Sequence, residues 1–182
     1  LKGETKMKFN TKLLHGKAGR NTPDGATLPG ISQVSAFSYD SAEHLEQVFG
    51  NKAPGFAYTR IGNPTVVAFE QRINEVEGGT GAIACASGMA AITVALLNVL
   101  SAGDEIIAGS GLFGGTIDLF KDLEAFGITT HFIPHITVED IKTVLNPNIK
   151  VVFGELIGNP GIDVVNIKEV TDVLHENGVP FI

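Results

Sequence analysis

Tryptophan is absent, tyrosine occurs twice and cysteine once. The lone thiol, Cys85, cannot close an internal disulfide, so an apolar core must hold the fold, and a reducing, cytoplasmic compartment is the simple expectation. Charge is also sparse, at 18% of residues, and it leans acidic, with 20 carboxylates against 13 lysines and arginines. A net charge of −7 argues against a nucleic-acid or anionic-membrane surface and favours a small molecule or another protein as partner. The longest apolar run, residues 89–100, falls short of the roughly 20 residues that cross a bilayer. No basic-then-apolar leader opens the sequence, and the chain reads as a soluble protein. Residues 1–6, ahead of Met7, read as a tag or extension. With 182 residues, 43% of them hydrophobic, there is material for one well-cored domain and a short arm.

Residues 82–100 organise the rest. They carry no charge: a short apolar run, 82–85, is followed by Ala86-Ser87-Gly88 and then by the longer run 89–100. These lengths predict a buried strand, a tight turn and a buried helix, with Cys85 as core filler. Ser87 and Gly88 then stand where the helix begins. Two readings fit them. Unpaired N–H groups and the positive end of the helix dipole can hold a phosphate, and a glycine lets it come close. Equally, Ser87 can be the N-cap of a core helix.

Ahead of this stretch, residues 8–40 are rich in glycine and proline and read as an extended arm that could pack on a neighbouring subunit. The N-cap chemistry of residues 40–43 predicts a short helix ending at Gly50. Asn63 is a good N-cap and Pro64 suits a first helical position. Val66, Phe69, Ile73 and Val76 then recur at helical spacing up to Gly78. Tyr58 and Arg60 fall in the loop just before. They can donate together to one oxyanion, Arg60 through a fork that fits phosphate, or they can be a surface arginine with a tyrosine packed beneath it.

Beyond residue 100 the pattern alternates. Strands are predicted at 105–109, 128–133, 149–156 and 179–182, and helices at 116–126, 138–145 and 167–177, the last with a capping box of Asn166 and Glu169. Such alternation implies an α/β domain with a mostly parallel sheet and helices on both faces. Ligands of such sheets sit beyond the carboxyl ends of the strands. Three strand ends carry chemistry: Ser87-Gly88-Met89, residues 109–115 with Phe113, and residues 155–160 with Glu155 and Asn159. They should converge on one crevice. The chain thus divides into the arm with its short helix, residues 7–55, and the α/β domain from 56.

Two other patterns are set aside. Gly109, Gly111 and Gly114 spell a dinucleotide fingerprint, but the following strand ends without the acid that would hold a ribose. His131 and His135 have Pro134 between them and cannot share a helical face, so no metal site is expected.

Taken together, Tyr58-Thr-Arg60-Ile-Gly-Asn-Pro-Thr65, Ala86-Ser-Gly-Met-Ala90, Phe113-Gly-Gly-Thr116 and Glu155-Leu-Ile-Gly-Asn-Pro-Gly161 resemble, in this order, the motifs of the Cys/Met-metabolism family of pyridoxal-phosphate enzymes. The resemblance runs from about Phe9 to Ile182. It implies the first part of an aspartate-aminotransferase-like large domain of fold type I, with pyridoxal 5'-phosphate as cofactor. By position it implies that the N–H groups of Gly88 and Met89 bind the cofactor phosphate while Ser87 shapes the turn. Tyr58 and Arg60 would reach the phosphate of a neighbouring subunit, in a site-sharing dimer that usually pairs into a tetramer. Phe113 would stack on the pyridine ring, where many relatives have tyrosine. Glu155 and Asn159 would lie beside the ring, Asn159 reaching its phenolic oxygen. The implied chemistry is γ-replacement, in which O-acetyl-L-homoserine and sulfide or a thiol give homocysteine and acetate. Cystathionine γ-synthase, cystathionine γ-lyase and methionine γ-lyase activities are the neighbouring possibilities.

Enzymes of this kind also need a lysine that holds the cofactor covalently and an aspartate against its pyridine nitrogen. None of the 10 lysines stands in a credible place, and no aspartate does. The expectation is therefore the N-terminal part of a longer enzyme, inactive by itself. A phosphate-binding or oligomerisation fragment without turnover is the alternative.

Overall fold

The computed structural model of the protein describes residues 7–16 and 25–182. The expected extension at 1–6 and part of the arm, 17–24, lie outside the described residues. Contacts divide the chain into two compact units, one running to Ala84 and the other from Cys85 to Ile182.

The first unit contains helices α1 (Phe9–His15), α2 (Ala42–Phe49) and α3 (Pro64–Glu77). Two of these begin where local chemistry places them. Ser41 Oγ accepts the His44 N–H at 3.1 Å to open α2, and Asn63 Oδ1 accepts the Thr65 N–H at 2.9 Å to open α3. Gly78, with φ of 68°, closes α3 in the left-handed region. Helix α1 departs from the extended arm expected there. Its last carbonyls are satisfied from a distance, since Arg72 on α3 donates to Lys12 O at 2.7 Å and to Leu13 O at 2.9 Å. Residues 82–85 form no strand: Ile83 is 81% exposed, Cys85 is exposed, and the Ala84 N–H donates to Glu70 Oε1 at 2.8 Å. Cys85 is therefore not core filler. The run is too short and too rich in alanine to hold a strand without a ladder partner, and among the described residues it has none.

In the second unit, helix α4 (Gly88–Leu97) leads into strand β1 (Glu105–Gly109), helix α5 (Gly114–Leu123), β2 (Thr129–Ile133), α6 (Val138–Val144), β3 (Ile149–Phe153) and α7 (Ile167–Glu176). The strands form a parallel sheet in the order β2-β1-β3. Alternation splits β1 between two cores. Ile106 and Ala108 pack with Leu96 and Leu100, with Phe120 and Leu123 of α5, and with Val151 and Phe153 of β3. Ile107 packs on the other face with Ile141 of α6, Val170 and Leu174 of α7, and Ile133 and Val152. Helices thus cover both faces, as the alternating pattern predicts. A register shift at Lys150 places Ile149 and Val152 in the same core although they are three apart.

Boundaries differ from expectation in several places. The helix expected to run to residue 126 tightens after Leu123 into a 3-10 turn, closed by Gly127 with φ of 77°. Strand β3 stops at Phe153, three residues before the expected end. Residues 179–182 pair beside β3 only as an isolated parallel bridge between Val152 and Phe181, because Pro180 has no N–H to give a ladder. Nor do Asn166 and Glu169 make a capping box. Asn166 Nδ2 donates to Glu169 Oε2 at 2.8 Å, and its side chain leaves the helix N–H groups alone. Among the described residues no helix is long and apolar enough to cross a membrane.

Candidate active site

Beyond the carboxyl ends of β1, β2 and β3 lies a crevice lined by Gly109, Gly111, His135, Gly154, Glu155 and Asp163. The loops around it are tied together. Half-buried Glu155, just after β3, accepts the Phe113 N–H at 2.8 Å, and Phe113 is the residue before the first turn of α5. A carboxylate at that point meets the positive end of the helix. Nearby, the Asn159 N–H donates to Gly111 O at 3.0 Å, and Ser110 Oγ donates to Pro134 O at 2.9 Å. His135 Nδ1 and Asp163 Oδ2 stand 3.8 Å apart, both largely exposed.

The Phe113 ring is 55% exposed and lies over Gly115, where a Cβ would come within 2.7 Å of Cε1 and 3.6 Å of Met89 Sδ. The aromatic face and the first turn of α4 are thereby neighbours. Ser87 caps α4, its Oγ accepting the Ala90 N–H at 3.1 Å. The N–H groups of Gly88 and Met89 have no acceptor within a helix by construction. No described residue supplies one, and nothing within 4 Å would meet a Cβ on Gly88. The two readings of Ser87-Gly88 are therefore compatible, since the serine caps the helix and leaves an open, positively polarised cradle. That cradle, next to an exposed ring, fits a phosphorylated aromatic cofactor.

Tyr58 and Arg60 belong to the first unit. Both are exposed, and the Arg60 guanidinium lies 5.3 Å from the centre of the Tyr58 ring. No carboxylate pairs with Arg60 among the described residues.

The remaining candidates acquire structural explanations. A Cβ on Gly109 would lie 2.9 Å from Ile136 Cγ1, so close packing accounts for that glycine, while a Cβ on Gly111 would meet Gly158 Cα at an ordinary 3.6 Å. His131 Nε2 lies 2.6 Å from Glu105 Oε2, at the amino end of the sheet and away from the crevice. No group of three metal-ligating side chains occurs among the described residues. Two roles were not read from the sequence: Gly115 makes room for the Phe113 ring, and in the first unit the amide of buried Asn63, expected only as a helix cap, also reaches beyond its helix.

Comparison with known proteins bears on this geometry. A family model described as Cys/Met metabolism PLP-dependent enzyme matches residues 10–182. The chain belongs to the Cys/Met-metabolism family of PLP-dependent enzymes. An O-acetyl-L-homoserine sulfhydrylase of Corynebacterium glutamicum is 41% identical over 176 residues, 96% of this chain and 40% of the relative. An L-methionine gamma-lyase of Treponema denticola is 33% identical over 93% of this chain and 42% of the relative. Among solved structures, an O-acetylhomoserine (thiol)-lyase of Campylobacter jejuni with N'-pyridoxyl-lysine-5'-monophosphate superposes with a TM-score of 0.87 at 29% identity, over 96% of this chain and 43% of that one. A cystathionine gamma-lyase of Lactobacillus plantarum gives 0.86 at 30% identity, over 96% and 44%. This chain therefore spans about two fifths of the length of the members it matches.

Proposed function

We propose that this chain supplies the N-terminal part of an O-acetylhomoserine sulfhydrylase, which replaces the acetoxy group of O-acetyl-L-homoserine with sulfide or a thiol to give homocysteine and acetate. The open cradle at Gly88 and Met89 with the Phe113 ring beside it supports the cofactor, and the 41% identity to an O-acetyl-L-homoserine sulfhydrylase supports the choice of reaction. Pyridoxal phosphate, when bound, supplies the electron sink that lets a proton leave the substrate's Cα and acetate leave its Cγ.

The side chains described here bind and orient. The Gly88 and Met89 N–H groups would hold the phosphate, and the exposed Phe113 ring would stack on the pyridine. Glu155 fixes the main chain that carries the ring, and Asn159 would bind the cofactor at its phenolic oxygen. Phe113 has no hydroxyl and so moves no proton. Tyr58 and Arg60 serve the phosphate of a neighbouring subunit in a homo-oligomer of the cytoplasm, a site-sharing dimer or a pair of such dimers.

The test is an assay of the full-length protein with pyridoxal phosphate and O-acetyl-L-homoserine. Homocysteine is expected with sulfide, and little cystathionine with cysteine. Cystathionine formation exceeding homocysteine formation would replace this reading with a γ-synthase. Release of ammonia from cystathionine or methionine would indicate a γ-lyase. No turnover of any of these would contradict the enzymatic reading and favour a binding role without turnover.

A further inference from the structure

We infer that Thr59 and Asn63 form a polar latch that sets Tyr58 and Arg60 in place for their anion; the inference rests on the cofactor role proposed above for that pair. Asn63 is only 4% exposed and spends its whole amide. Its oxygen caps α3 through the Thr65 N–H, a task that serine, threonine or aspartate would also perform. Its nitrogen does something a cap does not need: it donates to Ser32 O and to Thr59 Oγ1, each at 3.0 Å.

Thr59 passes the connection on. Its hydroxyl donates to Val34 O and its N–H to Ser35 O, the latter at 2.9 Å. The residue between Tyr58 and Arg60 is thus bonded through its N–H, through an accepted hydrogen bond and through a donated one. The turn itself closes on Tyr58 O, which accepts from Ile61 N at 2.8 Å and from Gly62 N at 3.0 Å. A second brace runs alongside, from the Ser32 N–H to Thr65 Oγ1 at 2.9 Å. The flanking side chains, Tyr58 and Arg60, stay exposed on a fixed main chain. Holding the loop before the ligand arrives lowers the ordering cost of binding, so the latch is a positioning device that acts through the pair.

The test titrates the full-length apo-protein with pyridoxal phosphate, following the cofactor's absorbance, for wild type, Thr59→Val and Thr59→Ser, and repeats the valine change in a Tyr58→Phe/Arg60→Ala background. Valine keeps the shape and loses the hydroxyl. The latch predicts that Thr59→Val raises the dissociation constant about tenfold, as expected for the loss of a hydrogen-bonded link, while serine restores it. It further predicts that the valine change has no added effect once Tyr58 and Arg60 are altered. Wild-type affinity in Thr59→Val, equal weakening in both backgrounds, or failure of serine to restore binding would each overturn the latch. If the Tyr58→Phe/Arg60→Ala protein itself binds as wild type, the role of the pair fails, and the latch with it.

Discussion

A methyl group on Gly115 would lie 2.7 Å from Phe113 Cε1, so the ring's resting place exists because that position has no side chain. The atom in the way is the far end of an exposed side chain, which can swing aside without disturbing the core. Alanine also forms a helix more readily than glycine, by up to about 1 kcal/mol in a helix interior and by less in the first turn, where Gly115 stands. Gly115→Ala should therefore melt at the same or a higher temperature while binding pyridoxal phosphate more weakly and with an altered absorbance. Melting and titration of the same full-length variant check both halves. A loss of stability together with unchanged binding would contradict the placement of the ring. At this scale the sequence made Phe113, Glu155 and Asn159 legible as strand-end residues. It did not make Gly115 legible, because the lack of a Cβ has meaning only once the ring is seen above it.

Glu105 shows what an element needs at its other end. It opens β1 on the side of the sheet away from the crevice. Asn146 Nδ2 donates to its carboxylate at 2.8 Å, His131 Nε2 lies at 2.6 Å and Asn148 Nδ2 donates at 3.2 Å. The Asn146 bond foremost, then those of His131 and Asn148, holds the carboxyl below its ordinary value of 4.5. A carboxyl whose folded pKa lies below its unfolded one stabilises the fold above the unfolded value, and that contribution is lost as pH falls through the folded one. Acidification below about pH 4.5 should then erode stability, and Glu105→Gln should flatten this limb while lowering stability at neutral pH. Melting temperatures of both proteins from about pH 3 to about pH 7 would show it. Parallel curves would contradict the assignment.

Elements were legible where their cause is local. The starts of α2 and α3 follow from Ser41 and Asn63, and that of α6 from Thr137, whose Oγ1 accepts the Asp140 N–H. Helix α1 was not, since its closing partner Arg72 comes from α3. Residues 82–85 and 179–182 misled for the same reason, because a strand is made by its neighbours as much as by its own residues.

For the molecule as a whole, the alternation of strands and helices announced the doubly covered parallel sheet, and four ordered motifs announced the family. Neither showed that Gly109 packs tightly against Ile136, or that Tyr58 and Arg60 sit on a bonded loop. The proposed function depends most on the first turn of α4 as the place that holds the cofactor phosphate. Gly88→Asp tests it most directly. An acidic residue suits the first turn of a helix, and nothing within 4 Å obstructs a Cβ there, yet the added carboxylate would repel a phosphate from the proposed cradle. Pyridoxal-phosphate absorbance of the full-length protein after gel filtration, with melting measured in parallel, gives the answer. The account predicts a variant that melts at or above the wild-type temperature and carries no cofactor; a variant that retains cofactor as wild type does would contradict it.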